Sequence, residues 1–304
     1  MNCIKCPKEA VEYVRYNGSH LCDEHFLEYV ERRAKREIRR QVDLDGMSKV
    51  AVALSGGKDS SVALFILHQA LGQRRDMQLV AITVDEGIEG YRPRTLARAR
   101  EITKMLGIEH RVISFQEEVG RTMDDIARAS AQKGPCSYCG VLRRRCMNKV
   151  ARDVGADVLA TGLNLDDTAQ SILMNFTRGD VERLARLGPH VKVQPGLIPR
   201  IQPLRSIPEK ESYLYALLRQ LPFSDDECPY ADLALRNEYR AIVDDLEERH
   251  TGTKFSIVAS YDAIRPSLVE RYPQAGLSVC ECGEPTCNQR CMSCALLEEV
   301  RKMV

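Results

Sequence analysis

No apolar run in the 304-residue chain approaches the length of a membrane span, and the N-terminus lacks the pattern of a signal peptide. The expectation is therefore a cytoplasmic protein with no membrane partner. Net charge is almost absent as well. The 44 Lys and Arg residues against 43 Asp and Glu leave +1, so any nucleic-acid surface must come from local stripes rather than from the overall balance. No long-range internal repeat is visible. What is present is an ordinary globular composition, 44% hydrophobic and 29% charged. The length suits one buried core with appendages, or two domains.

Hydrophobic periodicity gives an α/β core. VAVAL, QLVAITV, HRVISF and DVLATG are strand-like runs. They alternate with SVALFILHQAL, RTLARAREITKMLG ending at Gly107, and a helix from about Asp166, all at helical spacing. Strands alternating with helices predict a doubly wound parallel sheet covered on both faces. The expected organisation is a small cysteine-bearing module at 1–30, a basic linker helix at 31–48, a catalytic domain at 49–260 and a second cysteine module at 261–304. Residues 188–208, rich in Pro and Gly, read as a long loop, and 208–250 as helical.

Between the first strand and the first core helix stands Ser55-Gly56-Gly57-Lys58-Asp59-Ser60-Ser61. Small residues at the end of a buried strand leave backbone amides free, and the following helix adds the positive end of its dipole, a combination suited to phosphate. The glycine spacing is neither G-x-x-x-x-G-K-[ST] nor G-x-G-x-x-G. SGGKDS resembles instead the PP-loop of enzymes that cleave ATP between the α and β phosphates. VDEG at 84–87 and TGLNLDDTAQ at 161–170 place further polar groups at strand ends, where such sheets bind ligands. The resemblance implies an adenine site formed by the backbone near Ala53, Leu54 and Val84 with Gly162 beside it. It also implies a place for Asp167 near the phosphates and Mg2+, a hard cation that ATP phosphates call for. Asp166 reads equally as a helix N-cap. Lys58 reads either as a phosphate contact or as a solvated side chain.

The twelve cysteines fall in three groups. Clustered thiols in a reducing compartment read as metal or redox ligands rather than disulfides. Cys3-x2-Cys6 followed by Cys22-x2-His25 has the spacing of a closed tetrahedral zinc site. At the other end Cys280, Cys282, Cys291 and Cys294 form the favoured second zinc set, with Cys287 as the alternate. Cys136-x2-Cys139 with the distant Cys228 gives three thiols, one fewer than an iron–sulfur cluster's usual complement, which would leave one iron open. A redox pair with a persulfide carrier, or a third zinc site, are the other readings of these three. Cys146, on the same helical face, reads as a core residue.

Taken in order, these motifs resemble the tRNA 2-thiouridine synthetases of the TtuA/NcsA type, over nearly the whole chain. That family implies a PP-loop core of the adenine nucleotide α-hydrolase-like kind, two zinc fingers, and a [4Fe–4S] cluster on Cys136, Cys139 and Cys228. Arg143 would stand in the catalytic pocket. The Cys280-x-Cys282 spacing departs from the family's usual two intervening residues. The implied function is an ATP-dependent tRNA sulfurtransferase that adenylates the C2 oxygen of a tRNA uridine, 34 or 54, and replaces it with sulfur, forming AMP and pyrophosphate. The sulfur donor would be a ubiquitin-like thiocarboxylate carrier, a desulfurase or sulfide, and the expected assembly a homodimer. Three rivals remain: a PP-loop synthetase with a nitrogen nucleophile, a cytidine-32 tRNA thiolase, and a non-catalytic zinc-bearing RNA-binding module.

For the RNA, residues 31–40 carry six basic against two acidic side chains. Arg143, Arg144 and Arg145 follow the C-x-x-C motif, and Arg178, Arg183, Arg186, Lys192, Arg200 and Arg205 dot the later loop and its flanks. Local basic stripes suit backbone-dominated RNA binding, while each stripe alone also reads as a solvated helix face.

Overall fold

The computed structural model describes every residue except 73, 130–133, 191, 193, 232–234, 274, 275, 303 and 304. The chain begins with a short antiparallel hairpin, β1 (Glu12–Val14) and β2 (Ser19–Leu21), and enters α1 (Asp23–Gln41) directly after Cys22. Acidic Asp23 and Glu24 in the first turn and basic Arg39 and Arg40 in the last complement the helix dipole. Phe26, Val30, Ala34 and Ile38 recur every four residues and form its buried face. The helix therefore runs without a break from the cysteine module into the core, so the basic stretch at 31–40 is no separate linker.

The core follows as β3 (Lys49–Ala53), α2 (Lys58–Leu71), β4 (Gln78–Asp85), α3 (Arg92–Leu106), β5 (Glu109–Ser114), α4 (Phe115–Val119), α5 (Met123–Ala129), α6 (Pro135–Asp153), β6 (Val158–Ala160), α7 (Leu165–Thr177), α8 (Val181–Ala185) and β7 (Arg200–Ile201). The five strands pair in parallel in the order β5-β4-β3-β6-β7. Successive residues of β3 face opposite sides: Val50 and Val52 pack with Leu64, Leu67 and Ile102 of α2 and α3, and Ala51 packs with Leu142 and Cys146 of α6. Both faces are thus covered, as the unbroken apolar strands require. Strand order reverses at β3, which opens a crevice between the carboxyl ends of β3 and β6, the position where such sheets take ligands. β7 lies within the stretch expected to be loop. Two residues pairing with Leu159 and Ala160 extend the sheet edge there, too short a run for a period to show in sequence.

The remainder is α9 (Glu209–Leu218), α10 (Arg236–Arg249), α11 (Thr253–Arg271), a hairpin of β8 (Ser278–Val279) and β9 (Pro285–Thr286), and α12 (Met292–Lys302). The expected helical run at 208–250 is two helices; the segment between them contains Pro222 and Pro229, neither of which can continue a helix, and it carries Cys228. α11 passes through residue 260 without interruption, so no break falls at 260/261. Leu296, Leu297 and Val300 of α12 join the same apolar cluster as α6, which seats the C-terminal module on that helix. No helix among the described residues is long and apolar enough to cross a membrane.

Candidate active site and metal centres

The loop after β3 is held by its own small side chains. Ser55 Oγ lies 2.9 Å from Ser60 Oγ, the Ser55 amide donates to Ser60 Oγ at 3.1 Å, and Ser60 Oγ donates to the Gly57 carbonyl at 2.9 Å. Gly57 is the N-cap of α2 and has no side-chain cap. The first amides of that helix are therefore left for a ligand. Two glycines are required by close approach. Gly56 has φ +88°, and a Cβ there would stand 1.9 Å from the Thr95 carbonyl oxygen of α3. A Cβ on Gly162, after β6, would lie 2.8 Å from the Ser60 amide nitrogen. The two strand-end loops thus meet backbone to backbone at the sheet's crossover.

A cleft of about 1240 Å3 opens there, and Ala53, Leu54, Ser55, Gly57, Lys58, Asp59, Ser60, Val84 and Gly162 all line it. Ser61 does not: it is fully buried and its hydroxyl donates to the Pro222 carbonyl at 3.2 Å. Both backbone polar groups of Leu54 are engaged, the amide with Ile82 and the carbonyl with Thr83 Oγ1. Lys58 is neither free nor solvated. Its ammonium sits 2.6 Å from Glu209 and 3.2 Å from Asp59; burial opposes its charge, but those carboxylates outweigh it and raise its pKa. Asp59 Oδ1 is buried without a hydrogen-bond partner.

Asp166 is not the N-cap of α7. Asn164 is, in a reciprocal capping box with Asp167. Asp166 is buried, accepts from the Glu209 amide at 2.8 Å and pairs with Lys254. Asp167 pairs with Arg236 at 3.1 Å and does not line the cleft. Burial raises the pKa of both carboxyls against the pull of those cations.

Arg92, which the sequence reading passed over, is the organising side chain of the opposite wall. It is buried at 4% exposure, donates to the Ser55 carbonyl at 2.9 Å and to the Val84 carbonyl, and pairs with buried Glu86 at 2.8 Å. Glu86 in turn faces Arg143 at 3.7 Å. A Glu86–Arg92 couple therefore joins the glycine loop to the helix that carries the C-x-x-C motif. The signal was the GYR at 90–92, two residues beyond VDEG, but nothing local shows that this arginine folds back 37 residues to Ser55.

Cys136 and Cys139 sit in the first turns of α6, beside Cys228 and Tyr230. Cys136 is exposed and its thiol approaches the Tyr230 carbonyl at 3.6 Å; Cys139 and Cys228 are half-buried. Burial pushes the Cys139 thiol up to about 11 despite neighbouring Arg143, and raises Cys228 as well. Among the described residues two groups of metal-type ligands have all their atoms within 4.8 Å of one another, and these three cysteines are not one of them. Zn–S bonds of about 2.3 Å place thiolates roughly 3.8 Å apart, so the looser set suits a larger, multi-metal body better than a single ion. Cys146 is buried in the core.

The two tight groups are Cys3, Cys6, Cys22 and His25, and Cys280, Cys282, Cys291 and Cys294. In the first, His25 Nδ1 is 3.4 Å from Cys3 Sγ and 3.2 Å from Cys22 Sγ, and Cys6 Sγ is 3.6 Å from Cys22 Sγ. In the second, Cys282 and Cys291 sulfurs lie 3.5 Å apart and Cys280 and Cys294 3.9 Å. The short Cys280-x-Cys282 spacing is absorbed by a turn at Gly283, φ +84°, whose amide donates to the Cys280 carbonyl. Cys287 is exposed and outside the group. Backbone amides from Cys282 and Cys291 bring the Cys280 thiol down to about 6, the state a metal ligand needs.

Two of the basic residues expected to face RNA turn inward. Arg205 is 3% exposed and forms a two-bonded pair with Asp262 at 2.9 and 2.6 Å. Arg33 stands between Tyr16, Tyr29 and Phe255, paired with Glu211 at 3.0 Å. Arg32, Arg36 and Arg39, spaced along one face of α1, are exposed, as are Arg178 and Lys192. Arg183 and Arg186 carry local pairs with Asp180 and Glu182.

Comparison with known proteins agrees with this arrangement. The PP-loop domain family matches residues 30–246, and the family described as 2-thiouridine synthetase TtuA, N-terminal LIM domain, matches residues 2–27. The tRNA 2-thiolation protein NcsA of Haloferax volcanii is 39% identical over 318 residues, spanning 99% of both chains. The tRNA-5-methyluridine(54) 2-sulfurtransferase of Pyrococcus horikoshii is 34% identical over 97% of this chain and 93% of its own. Among solved structures, the U34-tRNA thiolase NcsA from Methanococcus maripaludis with its [4Fe-4S] cluster superposes with a TM-score of 0.86 at 35% identity, covering 98% of this chain and 96% of that one.

Proposed function

Because the chain belongs to the NcsA/TtuA-type family of PP-loop tRNA 2-thiolation proteins, we propose that it is an ATP-dependent tRNA sulfurtransferase that exchanges the C2 oxygen of a uridine for sulfur. The observation that carries the reading is the Arg92–Glu86–Arg143 bridge, which puts an anion-binding strand-to-helix turn and a three-cysteine site on the same side of one sheet. Relatives named for uridine 34 and for uridine 54 match at similar identity, so the proposal is stated for a tRNA uridine.

ATP lies with its phosphates on the amides of the first turn of α2. The target uridine leaves its stack, because its C2 oxygen is otherwise covered by neighbouring bases. That oxygen forms a bond to the α phosphorus and pyrophosphate departs. Loop amides and Arg143 face the negative charge that grows on phosphate. The orphaned Asp59 Oδ1, with Asp167 behind it, is the oxygen surface that would hold Mg2+. Entry of sulfur at C2 then expels AMP, which takes the original oxygen with it. Cys136, Cys139 and Cys228 would hold a [4Fe–4S] cluster, which supplies an iron with a free position able to bind sulfide. Zinc at the two end groups would be structural, since four protein ligands leave no open position.

The test is an anaerobic reaction of the reconstituted protein with an unmodified tRNA transcript, ATP and sulfide. The expected result is 2-thiouridine formed together with one AMP and one pyrophosphate, lost in Cys136→Ala, Cys139→Ala and Cys228→Ala. Full thiolation by any of the three variants, or AMP formation that yields a nitrogen-substituted base, would overturn the proposal.

A further inference from the structure

One wall of the cleft carries positive charge that the protein leaves unanswered. Four cations lining the cleft are paired with carboxylates: Lys58 with Asp59 and Glu209, Arg92 with Glu86, Arg236 with Asp167, and Lys254 with Asp166 and Asp244. Arg144 and Arg200 line the same cleft, yet neither side chain makes a hydrogen bond or ion pair to any described residue. Arg200 Nε is moreover buried with no partner at all. The Arg144 guanidinium folds back over Gly140, the residue after Cys139, where an added Cβ would meet its Nη1 at 3.4 Å. Arg144 thus lines the cleft over the turn that carries the cysteine pair.

Two guanidiniums held on one wall with no direct ion pair repel each other, and the nearest acidic group to Arg200, Glu284, is already paired with Arg152. Burial, then Arg143 and Arg183, lower the pKa of Arg144, and burial, then Arg144, lower that of Arg200. Arginine stays charged regardless, so the arrangement is stable only where solvent or a bound anion offsets it. The planar fork of the guanidinium matches phosphate oxygens two at a time. Two sources of phosphate reach this cleft, the nucleotide and the RNA backbone. The nucleotide's phosphates are already served by the loop amides, whereas Arg144 lies over Gly140 in the turn that carries Cys139, the turn that the strand bearing the reactive uridine must approach.

We propose that Arg144 and Arg200 form a seat for one phosphodiester of the RNA strand next to the extruded uridine, a proposal that rests on the tRNA reading above. The seat fixes the position of the base and carries no sequence information itself.

The experiment compares wild type with Arg144→Gln, Arg200→Gln and Arg144→Lys, using tRNA binding across a salt series and titration with a non-hydrolysable ATP analogue. Arg98→Gln, an exposed residue of α3 paired with Glu101, serves as the control. Each Gln variant is expected to weaken tRNA binding several-fold and to reduce the slope of log K against log salt by about 1, with ATP-analogue affinity and iron content unchanged. Arg144→Lys, which keeps the charge on an exposed helix position, is expected to keep the salt slope while losing affinity. Unchanged tRNA affinity and slope in both Gln variants overturn the seat. So does loss of ATP-analogue affinity with tRNA binding intact, which would assign the two arginines to the nucleotide. If wild type itself binds no tRNA, the tRNA reading fails along with the seat.

Discussion

The metal-type sites at the two ends and the cysteine site in the middle are built on opposite plans. Each end group draws four ligands from one short segment into a knot less than 4.8 Å across, and Cys22 and Cys291 stand at the start of the helices that anchor their modules. The middle site draws two ligands from the first turns of α6 and a third from a proline-broken segment about ninety residues later. Its members lie farther apart, one is exposed, and a buried carboxylate and an arginine stand beside them. Four ligands in a closed knot can only hold a fold together, and three in an open one can hold something that reacts. The lesson is that ligand count and spacing sort ten of the twelve cysteines into structure and chemistry before any activity is measured.

Several changes break or sharpen that contrast. The largest effect is expected at the middle site: Cys228→Ala is expected to abolish thiolation and iron binding while the thermal unfolding temperature stays near wild type, read by nucleoside analysis and calorimetry. At the ends the pattern inverts. Cys22→Ser or Cys280→Ser is expected to release one metal and lower the unfolding temperature by about 10 °C, because a structural metal's binding energy is folding energy. Between the two plans stands Glu86→Gln. Arg92 is left as a buried charge without its counter-ion, at a cost of about 4 kcal/mol in denaturant unfolding, and ATP affinity falls because the Ser55 loop loses its brace. A pH series supplies a control away from all three sites. His110 lies between Thr83 and Thr103, and burial, helped by Arg100, lowers its pKa to about 4. A histidine kept neutral by the fold gives stability that is present above the ordinary value near 6.5 and is lost as pH falls through 4. The expected decline is up to about 3 kcal/mol over that window, removed in His110→Gln and unaffected by metal content. The smallest effect is Gly162→Ala, where a Cβ 2.8 Å from the Ser60 amide forces the two loops apart, at roughly 2 kcal/mol, with weaker ATP binding as the direct readout.

Much of this was legible because it is local. The strand-loop-helix turn at Ser55, the paired ligand spacings at both ends and the alternation of strands with helices each occupy a short stretch whose chemistry has one economical reading. What escaped was set by long-range packing. Arg205 and Arg33 count as surface charge until Asp262 and Glu211 are brought to them. Arg92 is one arginine among many until the carbonyls of Ser55 and Val84 converge on it. Asp166 looked like a cap because the true one, Asn164, forms its box with the next acidic residue along. The two-residue β7 has no period to detect. Of the three cysteines, the pair at Cys136 and Cys139 is a pattern, while Cys228 was linked to them by count and resemblance, and only the fold brings it beside Cys136 through Tyr230.

The central claim, that the middle cysteines hold a reactive cluster while the ends hold structural metal, is tested most directly by measuring iron, acid-labile sulfide and zinc per chain. The protein would be purified and reconstituted without oxygen, as wild type and as Cys228→Ala. The account predicts about four irons and two zincs in wild type, with the iron lost and the zinc retained in the variant. Zinc alone in the wild type after reconstitution, or iron retained in full without Cys228, would contradict it.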